Sequence, residues 1–235
     1  MSAPCNPTPR AVFHLDGQPV ALEPGDTILA AAQRAGHTLP HLCWHPDVSA
    51  SASCRVCTVR VDGRPVAACT TAAAAGQQVD CHTPELDAQR LHLLQMLFVE
   101  GNHFCPGCKK SGNCLLQEQA AQAGMTDLHY EALNPERPVD ASHPDVLLEP
   151  NRCILCQLCV RASDELDGKQ VFAIGGHGIA TRLLINSASG QLGDSALAVT
   201  DRAAHICPVG ALLPKRVGFA VPIGQRTFDT PETRG

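Results

Sequence analysis

Eleven of the thirteen cysteines in this 235-residue chain fall into three spaced sets, and any fold it adopts has to bring those sulfurs together. The sets are Cys43/Cys54/Cys57/Cys69, then Cys105/Cys108/Cys114, then Cys153/Cys156/Cys159 with a distant Cys207 followed by Pro208. Disulfides do not account for them. An odd total leaves one thiol over, and the N-terminus has neither the basic start nor the apolar run of an export signal. A chain kept in the cytoplasm keeps its thiols reduced, and thiolates at these spacings wrap metal.

Composition agrees. Charged residues make up 17% and aromatics 3%, while Gly (19) and Pro (18) are plentiful. With few large side chains to fill a core, bound clusters would serve as staples. A formal charge of −5 excludes a nucleic-acid footprint. No apolar run approaches the roughly 18 residues of a membrane helix.

Periodicity predicts an α+β chain. A hairpin over 11–22 turns at Asp16-Gly17. Asp26 or Thr27 caps a short helix carrying Ile28, Ala31, Ala32 and Ala35, which Gly36 ends. A cysteine loop follows, then a strand at 56–61, a turn at Asp62-Gly63, a return over 66–69 and a strand at 78–81. These make a first domain over 1–82. Thr83-Pro84 opens a helix with a stripe of Leu91, Leu94, Leu97 and Phe98, stopped by Gly101. A second helix runs from about Cys114 to Ala123 and completes a domain over 83–124. Residues 125–150, with four prolines, read as an extended connector. A third unit, 151–215, has a short helix near 160–166, a Gly175-Gly176-His177-Gly178 segment and a strand over 181–185. The tail 216–235 has little from which to build a core.

The first set, Cys-x10-Cys-x2-Cys-x11-Cys, suits a [2Fe–2S] cluster held by four thiolates on a long loop. The small residues Ser49 to Ser53 let that loop approach closely. Four cysteines also bind zinc, so a zinc site is the alternative. A Rieske site is excluded, because Cys54-Arg55-Val56-Cys57 supplies no Cys-x-His. The second set gives three thiolates, and a cubane there needs a fourth donor, for which His103 is the closest imidazole. Zinc on three Cys and one His is the alternative. The third set is the most specific. Its Cys-x2-Cys-x2-Cys pitch with a remote Cys-Pro is the run that holds one [4Fe–4S] cluster. Cys5 and Cys81 are left over and read as small tolerated or buried thiols. The Gly175–Gly178 segment lacks the third glycine of a dinucleotide fingerprint.

The order of the three sets resembles the N-terminal part of the large iron–sulfur subunit of respiratory complex I. The stretch Glu100-Gly101-Asn102-His103-Phe104-Cys105-Pro106-Gly107-Cys108 resembles one branch more closely. So do Ser111-Gly112-Asn113-Cys114 and the tail Lys215 to Gly224. That branch is the diaphorase gamma subunits of cytoplasmic NAD-reducing nickel–iron hydrogenases. The resemblance implies a plant-ferredoxin-like β-grasp domain, a small helical domain with one His and three Cys ligands, and a bacterial-ferredoxin-like module. It implies one [2Fe–2S] cluster on Cys43, Cys54, Cys57 and Cys69, and two [4Fe–4S] clusters. One cubane would sit on His103, Cys105, Cys108 and Cys114, the other on Cys153, Cys156, Cys159 and Cys207. The chain departs from the wider superfamily in one place, where the usual His-x3-Cys is His103-x-Cys105 and position 101 is Gly.

The expected function is electron relay inside an oxidoreductase, with no catalytic site on this chain. Expected partners are a flavin- and NAD-binding diaphorase subunit and the small and large nickel–iron hydrogenase subunits. A relay for an NAD-linked formate dehydrogenase or a complex I-like NADH dehydrogenase is the alternative, and a zinc scaffold without redox function is a third reading. Complex I and formate dehydrogenase relatives continue into a large further domain, whereas a chain ending at 235 is expected to be the input module alone.

Overall fold

The computed structural model describes residues 11–226, which leaves Cys5 outside the described residues. The described residues divide into two compact units, one of 11–40 and 57–88, the other of 41–56 and 89–226.

In the first unit, β1 (Val12–Leu15) and β2 (Gln18–Ala21) form the expected hairpin. Its turn puts Asp16 at φ 47° and Gly17 at φ 79°. Two left-handed residues in a two-residue turn match the twist of the strands, and Asp-Gly tolerates that geometry. The Asp16 carboxylate then accepts the N–H of Cys81 (2.7 Å) and of His82 (3.3 Å), clasping the hairpin to the chain after β5. Helix α1 (Ile28–Arg34) is capped by Thr27, whose hydroxyl accepts the Ala30 N–H at 3.2 Å. Asp26, the other expected cap, instead grips Arg34 at 2.6 and 2.7 Å. Strands β3 (Thr58–Val61), β4 (Arg64–Ala67) and β5 (Gln78–Asp80) complete a five-stranded sheet in the order β2-β1-β5-β3-β4. The β1–β5 pair is parallel and the others antiparallel. Phe13, Val20, Ile28, Leu29, Val59 and Val79 are buried in this unit. Cys81 is buried too, as expected of a small spare thiol.

Helix α2 (Pro84–Glu100) starts where Thr83-Pro84 predicts, with the Thr83 hydroxyl accepting the Leu86 N–H at 3.3 Å. Of the expected stripe only Leu94 is fully buried; Leu91, Leu97 and Phe98 stay half-buried. The helix also buries two polar side chains that periodicity does not reveal. Arg90 donates to the Val56 carbonyl (3.3 Å), and Gln95 bonds both the Asp127 carbonyl (2.9 Å) and the His129 N–H (2.7 Å). Gln95 thereby fastens the start of the proline-rich connector.

The rest of the second unit is built from α3 (Leu115–Gln122), β6 (Val146–Leu148), α4 (Leu158–Glu165), β7 (Phe172–Gly175), β8 (Arg182–Ile185) and β9 (Leu212–Pro214). β6 pairs antiparallel with β9, and β7 with β8. The Gly175–Gly178 segment lies at the turn between β7 and β8. There a Cβ on Gly176 would come 2.2 Å from the Ala180 carbonyl oxygen. Leu94, Leu116, Val146, Leu158, Phe172 and Leu192 anchor a continuous apolar core that also takes in Cys43, Cys156 and Cys207.

Asp140 ties the connector to this core. Its carboxylate accepts the Ser142 N–H (2.9 Å) and hydroxyl (2.5 Å) and the Leu192 N–H (2.7 Å). Burial acts to raise its pKa, but the Ser142 hydroxyl and the two N–H groups outweigh burial and hold it below the usual carboxylate range. We predict that Asp140→Asn loses about 1–3 kcal/mol of stability at neutral pH, read as a fall of roughly 2–4 °C in Tm per kcal/mol. A folded-state pKa below the unfolded one stabilises above the unfolded value, and that contribution is lost as pH falls through the folded one. The gap between wild type and variant should therefore close in acid; equal Tm at neutral pH would show the clasp to be idle.

Candidate metal centres

Cys153, Cys156, Cys159 and Cys207 line one cavity. Its other walls are largely apolar, including Leu148, Ile154, Ile174, Leu183 and Leu212. Two residues between the cysteines, Leu155 (φ 52°) and Gln157 (φ 62°), are left-handed without being glycine. Such backbone is costly, and here it lets the loop curl around a point. The backbone N–H groups of Leu155, Leu158 and Val160 favour the thiolates of Cys153, Cys156 and Cys159 respectively. Burial opposes them. It pushes the Cys153 thiol up to about 11 and the other two well above their ordinary value, with neighbouring sulfurs adding repulsion. Four crowded sulfurs with N–H donors and almost no other polar partner form a donor set that a thiolate-bound metal group satisfies and water does not.

The second cavity is lined by His103, Cys105, Cys108, Ser111, Cys114, Gln117, Arg152, Val209 and Gly210. The imidazole that sequence proximity singles out thus faces the same space as the three cysteines. Its Nε2 is buried with no hydrogen-bond partner, whereas the Leu97 carbonyl accepts from the ring. Nδ1 is therefore the donor, which fixes the tautomer and leaves the Nε2 lone pair unengaged. Burial pushes the His103 pKa down to about 4, so the ring is neutral at physiological pH. A Cβ on residue 101 would come 2.3 Å from that Nε2, which explains glycine there. Burial pushes the Cys114 thiol up to about 11. It also raises Cys105, against the charges of Arg152 and Arg226 and a bond from Gln117. The tail contributes too, with the Ala220 N–H on the Lys109 carbonyl (3.3 Å) and the Arg226 guanidinium 5.8 Å from the Phe219 ring centre.

These two cavities share a wall. Val209 lines both, and the Pro208 carbonyl accepts the Leu115 N–H at 3.0 Å, just after Cys114. At Gly210 a Cβ would come 2.3 Å from the Cys108 sulfur. No sequence signal marked this glycine.

The first set is split between the units. In the first unit the β3–β4 hairpin brings Cys57 and Cys69 to one end, where the Ala68 N–H reaches the Cys57 carbonyl at 3.1 Å and both thiols are buried. In the second unit the Cys54 N–H approaches the Cys43 sulfur at 3.5 Å. The Cys43 sulfur, and then burial, drive the Cys54 thiol far above its ordinary pKa. Ala52 (φ 53°) and Arg55 (φ 58°) on either side of Cys54 are again left-handed.

Three domain families match along the chain. A 2Fe-2S iron-sulfur cluster binding domain covers residues 10–84, and the NADH-ubiquinone oxidoreductase-G iron-sulfur binding region covers 90–129. A 4Fe-4S single cluster domain covers 146–213. The chain is 37% identical to the gamma subunit of the NAD-reducing hydrogenase HoxS of Cupriavidus necator, over 94% of both chains. It is 32% identical to the mitochondrial NADH-ubiquinone oxidoreductase 78 kDa subunit of Candida albicans, over 87% of this chain and 28% of that one. A chain in the crystal structure of an NAD+-reducing [NiFe]-hydrogenase in the H2-reduced state superposes with a TM-score of 0.88. That chain is 56% identical, with 93% of each chain covered.

Proposed function

Because the chain belongs to the family of gamma subunits of NAD-reducing hydrogenases, we propose that it relays electrons between a flavin- and NAD-binding diaphorase subunit and the small and large subunits of a nickel–iron hydrogenase. In that assembly H2 and NAD+ become NADH and H+. It is an iron–sulfur subunit with one [2Fe–2S] domain and two regions for [4Fe–4S] clusters. The observation that carries the relay reading is that each cysteine set falls inside its own matched iron–sulfur region. We place it in the cytoplasm, since cysteine ligation calls for a reducing compartment. Among the described residues no helix is long and apolar enough to cross a membrane.

We assign Cys43, Cys54, Cys57 and Cys69 to the [2Fe–2S] cluster. His103, Cys105, Cys108 and Cys114 are assigned to one cubane, and Cys153, Cys156, Cys159 and Cys207 to the other. Bound clusters of these types supply one-electron storage and transfer. The chain's own residues do the rest. Left-handed loop residues aim the cysteines, and the N–H groups of Leu155, Leu158 and Val160 favour anionic sulfur. Apolar side chains exclude water, and the Leu97 carbonyl holds His103 in the tautomer that presents Nε2.

Iron analysis of the purified complex should find ten iron atoms on this chain, and a clearly lower count on the intact chain would overturn the three-cluster reading. His103→Ala should lose one cubane or shift its potential while the other two EPR signals stay in place. Unchanged iron and unchanged potentials would remove His103 from the ligand set.

A further inference from the structure

One buried cation has no part in the ligand assignment. Arg161 sits on α4, two residues after Cys159, and is 9% exposed. Its Nη2 donates to the Cys43 carbonyl at 2.7 Å and to the Cys156 carbonyl at 3.1 Å. Nη1 donates to the Ser49 carbonyl, and Nε to the Gln157 carbonyl at 3.3 Å. One nitrogen of one side chain therefore holds the backbone of a cysteine from the first set and of a cysteine from the third. All these residues lie in the second unit.

Neighbours strengthen the grip. Glu165, one turn along α4, accepts the Ser49 N–H at 2.7 Å and the Ser49 hydroxyl, and Arg202 pairs with Asp47 at 2.5 Å. The loop from Cys43 to Ser49 is thus fastened at three points to the elements that carry the third set. The planar guanidinium is suited to this, because its five N–H groups leave in fixed directions and can serve several carbonyls at once.

Its charge is as telling as its geometry. Among the described residues no carboxylate forms an ion pair with Arg161; its acceptors are all carbonyl oxygens. The one carboxylate whose charge it is shown to feel, Glu165, is itself taken up by the Ser49 N–H and hydroxyl, so the buried cation is only partly compensated. Thiolate-ligated clusters are anionic, and each gains one further negative charge on reduction. A positive charge beside them offsets the burial of both partners and favours the reduced form of each.

We propose that Arg161 is a shared positioning cation: it ties the loop of the [2Fe–2S] set to that of the ferredoxin-like cubane and sets the potentials of both clusters with a single buried charge. The proposal rests on the ligand assignment above. That assignment is tested in the wild type, by iron content and by the presence of both EPR signals, before any variant is made.

The test uses the complete complex with Arg161→Met and Arg161→Lys, followed by EPR-monitored redox titration. Arg161→Met should keep its iron and lower the midpoints of both clusters. The expected change is at least tenfold in the reduced-to-oxidised ratio at fixed potential, about 59 mV for a one-electron couple. Arg161→Lys keeps the charge but offers a single ammonium. It should hold the midpoints nearer the wild type while weakening the magnetic interaction between the two reduced clusters. Wild-type midpoints in a loaded Arg161→Met complex would overturn the proposal, as would a shift confined to one cluster. If Arg161→Met fails to load, Arg161→Lys decides: an altered magnetic interaction supports the tie, and an unaltered one overturns it.

Discussion

Cys156→Ala should remove about four iron atoms from the chain and abolish one cubane EPR signal, while the [2Fe–2S] signal persists. Cys156 lies in the apolar core, and the N–H of Leu158 favours its thiolate. Apart from the other three cysteines, the side chains lining that cavity are apolar except for Gln157, which cannot replace a sulfur. A structural loss should accompany the spectroscopic one. The third set joins Cys159 to Cys207 across 47 intervening residues, and closing such a loop through a shared cluster constrains the unfolded chain much as a disulfide does. By that analogy the loss is about 2–4 kcal/mol, or a fall of roughly 4–16 °C in Tm. Retention of all ten irons by the alanine variant would show that Cys156 is not a ligand.

Gly210→Ala should be nearly as damaging, although Gly210 is not itself a proposed ligand. The added methyl would come 2.3 Å from the Cys108 sulfur and 3.5 Å from Arg152 Cδ and Lys110 Cβ. No conformational argument is needed here. The constraint is space: a sulfur that must reach a metal cannot retreat from a backbone that is itself pinned by the Leu115 N–H on the Pro208 carbonyl. The expected result is loss of the cubane of the second set, about four irons, with the third set's cubane retained. Gly218→Ala is the control, since a Cβ there meets nothing within 4 Å. A fully loaded Gly210→Ala complex with an unaltered second-set signal would refute the packing argument.

What could be read from the sequence was chemistry and short-range geometry. Asp16-Gly17 predicts a hairpin because few residues accept two left-handed positions in succession, and the hairpin is there. Thr83-Pro84 predicts a helix start because its hydroxyl caps and its proline needs no donor, and α2 begins at Pro84. The iron–sulfur content followed from cysteine pitch. Long-range features were not legible. The β6–β9 pair joins Leu148 to Leu212, and each three-residue strand is too short to carry a pattern of its own. Arg161, Arg90 and Gln95 look like ordinary surface residues in a sequence, because burial of a polar side chain depends on partners that arrive from distant segments. Gly210 was silent for the same reason, its role being set by a sulfur 102 positions earlier.

The wall that the two cubane cavities share has a consequence for how the protein is made. Val209 lines both spaces, Gly210 closes the second, and Cys207 is the last cysteine of the sequence. Before synthesis reaches Cys207, ten of the eleven grouped cysteines are already present, yet neither cavity has its final side. Both cavities can take their final form only once this one segment has been made. A nascent chain shorter than this holds many thiols ready but has no enclosed place for either cluster.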